Sequence, residues 1–312
     1  MRIIRDYTFL DPDARGASAA IGNFDGVHIG HQAVINIARS AGDAIGAPLG
    51  VLTFDPHPRE YFARDAAPFR LMGPAAKATQ LEKLGVERLY QLNFNTALAE
   101  LSPEDFAKRV IHDGLGLRHV VIGSDFCFGK GRAGKASDLQ RFGEQYGFGV
   151  TIAELVEGAQ GQVSSTRIRE ALSEGRPRDA AEMLGHWHRI EGMVIGGEQR
   201  GRELGYPTAN MSIDGLHPPR FGVYAVLVDV QDGPHAGRYT GVASMGVRPM
   251  FGDNRPNLET FVFDFSGDLY GATLSIALVE YLRGEEKFDG LDALITQMDA
   301  DSLKAREILA AL

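Results

Sequence analysis

The chain has 312 residues, 44% of them hydrophobic and 23% charged, and it carries a formal net charge of −9 at pH 7. This length favours two domains, and the acidic balance argues against a nucleic-acid partner, which would need a basic surface patch. The single cysteine, Cys127, excludes an internal disulfide, and the sequence shows neither an apolar run of membrane-spanning length nor a signal peptide. We therefore expect a protein of the reducing cytoplasm that binds no membrane and no nucleic acid, while its oligomeric state stays open.

The first half of the chain alternates between predicted strands and predicted helices. Apolar patterns predict strands over 19–21, 50–54, 88–92, 119–123 and 149–152, and helices over 33–45, 75–84 and 139–146. Ser102-Pro103-Glu104 predicts one more helix, with a capping residue followed by proline at its first position. Such alternation predicts an α/β domain in which helices cover both faces of a parallel sheet and ligands bind at the carboxyl ends of the strands.

A glycine-rich turn connects the first of these strands to its helix, with the sequence Gly22-Asn23-Phe24-Asp25-Gly26-Val27-His28-Ile29-Gly30-His31. Glycines allow a tight turn, and the unpaired N–H groups of a helix start form a seat for phosphate. His28 and His31 are i, i+3 neighbours, so both imidazoles can lean over the same side of the helix start. There they could bind phosphate oxygens and stabilise the charge that develops when a phosphoanhydride breaks. An ordinary turn with one capping histidine is the simpler alternative.

Three further segments combine groups that could meet a nucleotide or a flat ring. Thr53-Phe54-Asp55-Pro56-His57-Pro58 ends the second strand, either as part of a site or as a rigid exit to a loop. The segment 123–132 offers aromatic rings for stacking and cations for phosphate, unless its rings belong to the core and its cations to solvent. Ser164-Ser165-Thr166 precedes a helix together with Arg167 and Arg169, and could bind phosphate or only cap the helix.

The second half has a different periodicity. A helix is predicted over 171–184, with Gly185 as its C-cap. Short strands follow over 192–195, 222–228, 239–243, 260–265 and 274–279, and a last helix over 291–309. This spacing predicts a small antiparallel barrel, so we place the domains at 1–185 and 186–312. His186-Trp187-His188, at the junction, is interpreted as an aromatic plug between domains rather than as a site.

The stretch 192–210 at the start of the barrel contains a second glycine-rich loop. Gly196 and Gly201 permit a loop that covers phosphates beside Arg200 and Arg202, although the G-K-[ST] of a Walker loop is missing. Thr208 and Asn210 have i, i+2 spacing, so on an extended segment both side chains point to one side. Their oxygens suit the hard oxygen coordination of Mg²⁺ bound to ATP.

Taken together, these strings resemble one enzyme family over about residues 17 to 305. Residues 22–31 fit G-x-F-D-G-x-H-x-G-H, the nucleotidyltransferase signature in the wording found in the adenylyltransferase half of bacterial bifunctional riboflavin kinase/FAD synthetases. The three segments above are similar to the T-F-D-P-H-P, G-x-D-F-x-F-G-x-x-R and I-S-S-T-x-x-R elements of that family, some members of which carry Asn at the position of Asp125. Residues 192–210 resemble the flavokinase signature G-x-V-x-x-G-x-x-x-G-R-x-L-G-x-P-T-A-N.

The resemblance implies a Rossmann-like nucleotidyltransferase α/β domain followed by a small antiparallel β-barrel riboflavin kinase domain with a C-terminal helix. It implies that riboflavin is phosphorylated to FMN and FMN is then adenylated to FAD, each step with ATP and Mg²⁺. The catalytic residues that it implies are His28, His31, Arg167 and Glu259, and the metal-binding ones are Thr208 and Asn210. The flavin- or nucleotide-binding residues that it implies are Gly22, Asn23, Phe24, Asp25, Gly30, Asp55, Asp125, Phe126, Ser164, Ser165, Thr166, Gly196, Gly201, Arg202, Thr208 and Asn210.

Two positions depart from the family pattern and leave other interpretations open. Met250 replaces the usual Thr in the loop Gly246-Val247-Arg248-Pro249-Met250-Phe251, and Phe261 stands where many members have His. One alternative is therefore an FMN adenylyltransferase with an impaired kinase half. Others are a flavin-binding regulator without catalysis, and a cytidylyltransferase, which would not require the barrel.

Overall fold

The computed structural model describes residues 1–154, 157–158, 161–196, 205–247 and 256–312. Gly201, Arg202 and Met250 lie outside the described residues. The chain forms two compact units. The first consists of Met1–Ala66 and Lys77–Val163, and the second of Ala67–Ala76 and Ser164–Leu312.

The first unit is built on a parallel sheet, as the alternating pattern predicts. Its strands, with a short ribbon β6–β7, are β1 Arg2–Ile4, β2 Ser18–Ile21, β3 Leu49–Asp55, β4 Arg88–Asn93, β5 His119–Gly123, β6 Cys127–Phe128, β7 Gly134–Lys135 and β8 Gly149–Ala153. Within the described residues the sheet order is β1-β4-β3-β2-β5-β8, and every neighbouring pair is parallel. From β2 the chain adds strands first on one side of the sheet and then, with β5, on the other side. Ligands bind at such a switch point between neighbouring strands.

Helices pack around this sheet and start at the signals in the sequence. They are α1 Ile29–Ile45, α2 Pro58–Phe62, α3 Pro74–Lys83, α4 Thr96–Ala99, α5 Pro103–Asp105 and α6 Ala136–Tyr146. Ser102 caps α5 as predicted, because its hydroxyl accepts the Asp105 N–H at 3.0 Å. Helix α5 continues directly as a π-helix over Phe106–Gly114, which buries Val110 and Ile111. Short strands β9 Glu157–Gly158 and β10 Gly161–Gln162 pair near the end of the unit.

The second unit contains the predicted antiparallel barrel. Its strands are β11 Arg189–Met193, β12 Thr208–Ser212, β13 Gly222–Val230, β14 Gly237–Val247, β15 Pro256–Val262 and β16 Thr273–Arg283. The order is β11-β16-β13-β14-β15-β12 in the part of the chain described. A bridge between Ile195 and Asn210 brings the edge strands together, so the barrel is nearly closed. Met211, Val226 and Leu258 fill its interior.

The C-terminal helix, Leu291–Ala310, covers part of the outer barrel surface. Its Ala305 and Leu309 pack with Phe263, and Val242 and Phe261 adjoin the same cluster. The predicted α/β domain and barrel with a final helix are therefore confirmed.

One predicted helix was wrong in its extent. Residues 171–184 do not form one helix: α7 spans Ser165–Ser173 and α8 spans Pro177–Leu184. Pro177 has no N–H to continue a helix, and it begins α8 instead, after Gly175 has turned the chain at φ 74°. Gly185 caps α8 in the left-handed region at φ 73°, as predicted.

Candidate active sites

The turn between β2 and α1 has a strained backbone. Phe24 and Val27 adopt φ values of 50° and 45°, and Gly26 lies between them at φ 87°. The left-handed region costs a non-glycine residue about 1–2 kcal/mol. Both side chains are fully buried, so the packing around them holds the turn in this shape. Such strain is concentrated at functional sites.

His28 and His31 form a stacked pair at the start of α1. Their ring centroids are 3.6 Å apart with an interplanar angle of 16°. Nδ1 of His28 accepts the backbone N–H of His31 at 3.3 Å and so caps the helix. Because Nδ1 is an acceptor, the neutral His28 ring carries its proton on Nε2, which is therefore a hydrogen-bond donor.

His31 is held in a neutral form. Burial, then the neighbouring His28, then the charge of Lys77 keep its pKa well below the ordinary value of 6.5. Its Nδ1 is buried and has no hydrogen-bond partner among the described residues. The ring of Phe24 lies beside it at 5.2 Å.

The other predicted residues of this turn precede His28 in the sequence or, in the case of Gly30, lie between the two histidines. Asp25 is buried and Asn23 is exposed, while Gly22 follows the last residue of β2. Gly30 lies in the first turn of α1. The N-terminus of α1 thus combines helix N–H groups with two imidazoles, an arrangement that can bind and polarise phosphate.

Sequence reasoning missed Lys77, which belongs to the same unit. Its ammonium donates to the carbonyl oxygen of Asn23 at 2.7 Å, and the hydroxyl of Thr53 donates to the same oxygen at 3.1 Å. Lys77 lies 54 residues along the chain from Asn23, and its partner is a backbone carbonyl. No spacing or residue type in the sequence indicates such a contact.

The ends of β3 and β4 carry an aromatic cluster. Phe94 packs edge-on against Phe54 at 5.7 Å, Tyr61 at 5.3 Å and Phe62 at 5.8 Å. Phe62 is 70% exposed, which is unusual for a phenylalanine that contacts two other rings, Tyr61 and Phe94. Asp55, at the end of β3, accepts a hydrogen bond from Gln91 at 3.2 Å. Asp55 is a residue predicted from the sequence, whereas Tyr61, Phe62 and Phe94 were not predicted.

The predicted segment 123–132 is part core and part surface. Phe128 is buried, and Phe126 stacks on it at 5.7 Å while remaining half-buried. Lys130 pairs with Glu100 at 2.5 Å. Asp125 is exposed directly after β5, at the carboxyl edge of the sheet. Phe128 is therefore a core residue, as the alternative interpretation of this segment predicts, whereas Phe126 is partly accessible and Asp125 is exposed.

The hydroxyl segment opens α7 and belongs to the second unit. Ser164 caps the helix by accepting the Arg167 N–H at 3.3 Å, and Ser165 and Thr166 form the first turn. Nε of Arg169 donates to the carbonyl oxygen of Phe69 at 2.5 Å, and its guanidinium lies over the Phe69 ring. Arg169 is thus engaged with the backbone of Phe69.

The barrel brings the predicted kinase residues together through strand register. Strand β12 pairs with β15 so that Asn210 lies opposite Glu259 and Thr208 opposite Phe261. Ser244 of β14 faces Glu259 from the other side. Because alternate residues share a face, these side chains project outward while Ala209 and Leu258 project into the barrel core.

Hydrogen bonds orient the two polar side chains at the centre of this face. Nδ2 of Asn210 donates to the Thr208 carbonyl oxygen at 3.3 Å, which directs the amide oxygen, Oδ1, away from the strand. Nδ2 of the buried Asn257 donates to Oε1 of Glu259 at 3.2 Å. Gly196 is exposed. The arrangement offers oxygen ligands next to a half-buried carboxylate.

The C-terminal helix is tied to this face of the barrel. The Tyr206 hydroxyl donates to Asp299 of the helix, and its ring packs on Phe261 at 4.8 Å. Burial and the Asp299 carboxylate raise the pKa of Tyr206 to about 12, so the phenol stays protonated as a donor. Arg283 at the end of β16 forms a buried ion pair with Asp301 at 2.8 Å.

None of the helices in the described residues is long and apolar enough to cross a membrane. Among the same residues, no cluster of three or more His, Cys, Asp or Glu side chains could hold a metal ion.

Comparisons with known proteins match both halves of the chain. A family model described as FAD synthetase matches residues 10–167, and one described as riboflavin kinase matches residues 184–309. A bifunctional riboflavin kinase/FMN adenylyltransferase of Pseudomonas fluorescens is 42% identical over 99% of this chain and 98% of that protein. The protein of the same name from Escherichia coli strain K12 is 35% identical over 98% of this chain and 97% of that protein.

A solved structure is also similar over nearly its whole length. It is described as a macrolide-efflux protein from Streptococcus pneumoniae, and it aligns with a TM-score of 0.83 and 32% identity. The alignment covers 97% of this chain and 98% of the other. Since both halves match their family models in order and full-length relatives exceed 30% identity, the chain belongs to the bifunctional riboflavin kinase/FMN adenylyltransferase family.

Proposed function

We propose that this chain makes FMN from riboflavin at the outer face of the barrel and FAD from FMN at the start of α1, with ATP as the co-substrate of both steps. Family membership supports both activities. One observation supports the assignment of the residues: polar side chains of each motif lie side by side. These are the stacked histidines in the first unit and the paired Asn210 and Glu259 in the second.

The adenylyl transfer needs alignment and charge neutralisation rather than a covalent intermediate. A 5′-phosphate oxygen of FMN forms a bond to the α-phosphorus of ATP, the bond to the bridging oxygen breaks, and pyrophosphate leaves. The Nε2–H groups of His28 and His31 donate hydrogen bonds to the phosphate oxygens as charge builds up. In the second unit, the hydroxyl groups of Ser164, Ser165 and Thr166 and the guanidinium of Arg167 suit hydrogen bonds to phosphate oxygens, the role that the family resemblance implies for them.

The flavin of this step is proposed to lie against the aromatic edge of the sheet. The exposed face of Phe62 and the neighbouring Tyr61 offer a stacking surface for a flat, conjugated ring. Asp55, Asp125 and Phe126 lie at the carboxyl ends of β3 and β5, where parallel sheets bind ligands.

The kinase step needs a base for the 5′-hydroxyl of riboflavin. Glu259 accepts that proton while the hydroxyl oxygen bonds to the γ-phosphorus and ADP leaves. Nδ2 of Asn257 donates to Oε1 of Glu259 at 3.2 Å and so helps to orient the carboxylate. Phe261 packs on Tyr206, so the ring that replaces the family's histidine serves as packing beside the site.

The donor set of the barrel suits the Mg²⁺ that accompanies ATP. Thr208 and Asn210 supply uncharged oxygens from neighbouring positions of one face, and the Asn210 amide is already oriented by its bond to Thr208. Few protein ligands and hard oxygen donors are what a nucleotide-bound Mg²⁺ uses. When bound, the metal ion offsets the negative charge of the phosphates.

We also propose that both reactions take place in the cytoplasm. We propose the functional domain boundary at 185/186, and a riboflavin kinase match that begins at residue 184 supports this position.

Chromatography of flavins after incubation with riboflavin, ATP and Mg²⁺ tests the proposal. We expect FMN first and FAD later from the unmodified chain. If the chain formed FAD from supplied FMN but made no product from riboflavin, the kinase half would be impaired. That result would refute the proposed role of Glu259. No conversion of either flavin would overturn both assignments.

A further inference from the structure

We infer that Lys77 is a positioning residue for adenylyl transfer: its ammonium fixes the strained turn that carries His28 and His31. The inference rests on the proposed role of this turn. It concerns a residue outside the recognised motifs, on helix α3, that reaches the turn through space.

The inference rests on a backbone carbonyl oxygen that accepts two hydrogen bonds. Asn23 presents its oxygen to the Lys77 ammonium at 2.7 Å and to the Thr53 hydroxyl at 3.1 Å. Thr53 belongs to the central strand β3 and is buried, whereas Lys77 is half-buried on α3. The turn is therefore tied to the sheet by one donor and to a helix by the other, and both lone pairs of the oxygen are satisfied.

This anchoring matters because the next residues are strained. Phe24 directly follows Asn23 at φ 50°, and Val27 directly precedes His28 at φ 45°. Strained backbone persists only where its surroundings hold it in place. The Lys77 bond is charge-assisted and hence stronger than a neutral one, so it limits the relaxation of the turn on the side of α3. A small displacement there would move both imidazoles, since His28 caps α1 and His31 stacks on it.

Lys77 also acts electrostatically on His31. Three features act on that ring: its burial, the His28 ring at the start of α1, and the Lys77 ammonium on α3. All three lower the pKa of His31 and keep the imidazole neutral. Asp25, in the same turn, is also buried. Removal of the Lys77 charge is therefore expected to raise the pKa of His31 toward its ordinary value.

The test compares variants in the full-length chain, with the kinase as an internal control. In Lys77→Met we expect kcat for FAD formation from FMN to fall roughly 10- to 100-fold, because misplaced groups lose alignment, with a smaller change in KM for ATP. The acidic limb of the kcat–pH profile should move to higher pH. Riboflavin phosphorylation should keep its rate. Lys77→Arg, which retains the charge, should restore the limb to its original position.

Two more variants separate positioning from a general loss of structure. Lys83→Met, at the exposed end of the same helix, should leave FAD formation unchanged. Thr53→Val removes the other donor to Asn23 and should lower FAD formation without moving the pH limb. A Lys77→Met chain with the original rate and pH profile would overturn the inference, as would equal losses in both activities together with an unaltered pH limb. If the unmodified chain made no FAD from FMN, the proposed function would fail instead.

Discussion

Replacement of Glu259 by Gln tests the catalytic assignment in the barrel most directly. The amide of Gln has nearly the same shape, and its oxygen can still accept the hydrogen bond from Asn257, now 3.2 Å from Oε1. The free energy of unfolding should therefore change by less than about 1 kcal/mol. The substitution removes the group that accepts the proton of the riboflavin hydroxyl. A general base contributes about 10²- to 10⁴-fold, which corresponds to about 3–5 kcal/mol in activation free energy.

The assay is the rate of FMN formation from riboflavin at saturating ATP and Mg²⁺, followed by flavin chromatography. FAD formation from supplied FMN should be unchanged, because its proposed groups lie on other elements. Glu286→Gln is the matched control, since Glu286 is exposed after the last strand and has no part in the site. A Glu259→Gln chain that keeps more than about one tenth of the kinase rate would refute the role of this carboxylate as the base.

Three further changes test the packing and the electrostatics of the second unit. Arg283→Met leaves the buried Asp301 carboxylate without its ion-pair partner and should lower the free energy of unfolding by about 3–5 kcal/mol in denaturant titrations followed by Trp187 fluorescence. Ser164→Ala removes the cap of α7, which should cost about 1 kcal/mol and slow FAD formation while riboflavin phosphorylation persists. Burial lowers the pKa of His188 to about 4, whereas the unfolded chain binds the proton near pH 6.5. Its contribution to stability is therefore complete above about pH 6.5 and falls by about 3 kcal/mol as the pH drops to 4, a loss that His188→Gln should abolish.

Each of these expectations has an outcome that contradicts it. An Arg283→Met chain of unchanged stability would mean that the bond from Gln297 to Asp301, at 2.9 Å, suffices for the buried carboxylate. Equal losses in both activities of Ser164→Ala would indicate a structural role alone. A pH dependence that persists in His188→Gln would show that groups other than His188 cause the loss of stability.

Local signals in the sequence were sufficient where a structure depends on neighbours in the chain. The turn 22–31, the start of α5 at Ser102-Pro103 and the end of α8 at Gly185 all follow from residue types at fixed short spacing. The alternating and short-strand patterns likewise predicted the two folds. The single helix predicted over 171–184 was wrong because Pro177 can begin a helix but cannot continue one.

What the sequence alone determined is thus the local conformation and, through long motif strings, the kind of chemistry. The tertiary structure decided which distant residues meet. The register that places Asn210 opposite Glu259 depends on hydrogen bonds between strands almost fifty residues apart. The bond from Lys77 to Asn23 and the cluster of Tyr61, Phe62 and Phe94 likewise form only when separate elements pack on one sheet. Short-range spacing cannot encode such contacts, because strand order and register are set by the burial of whole faces.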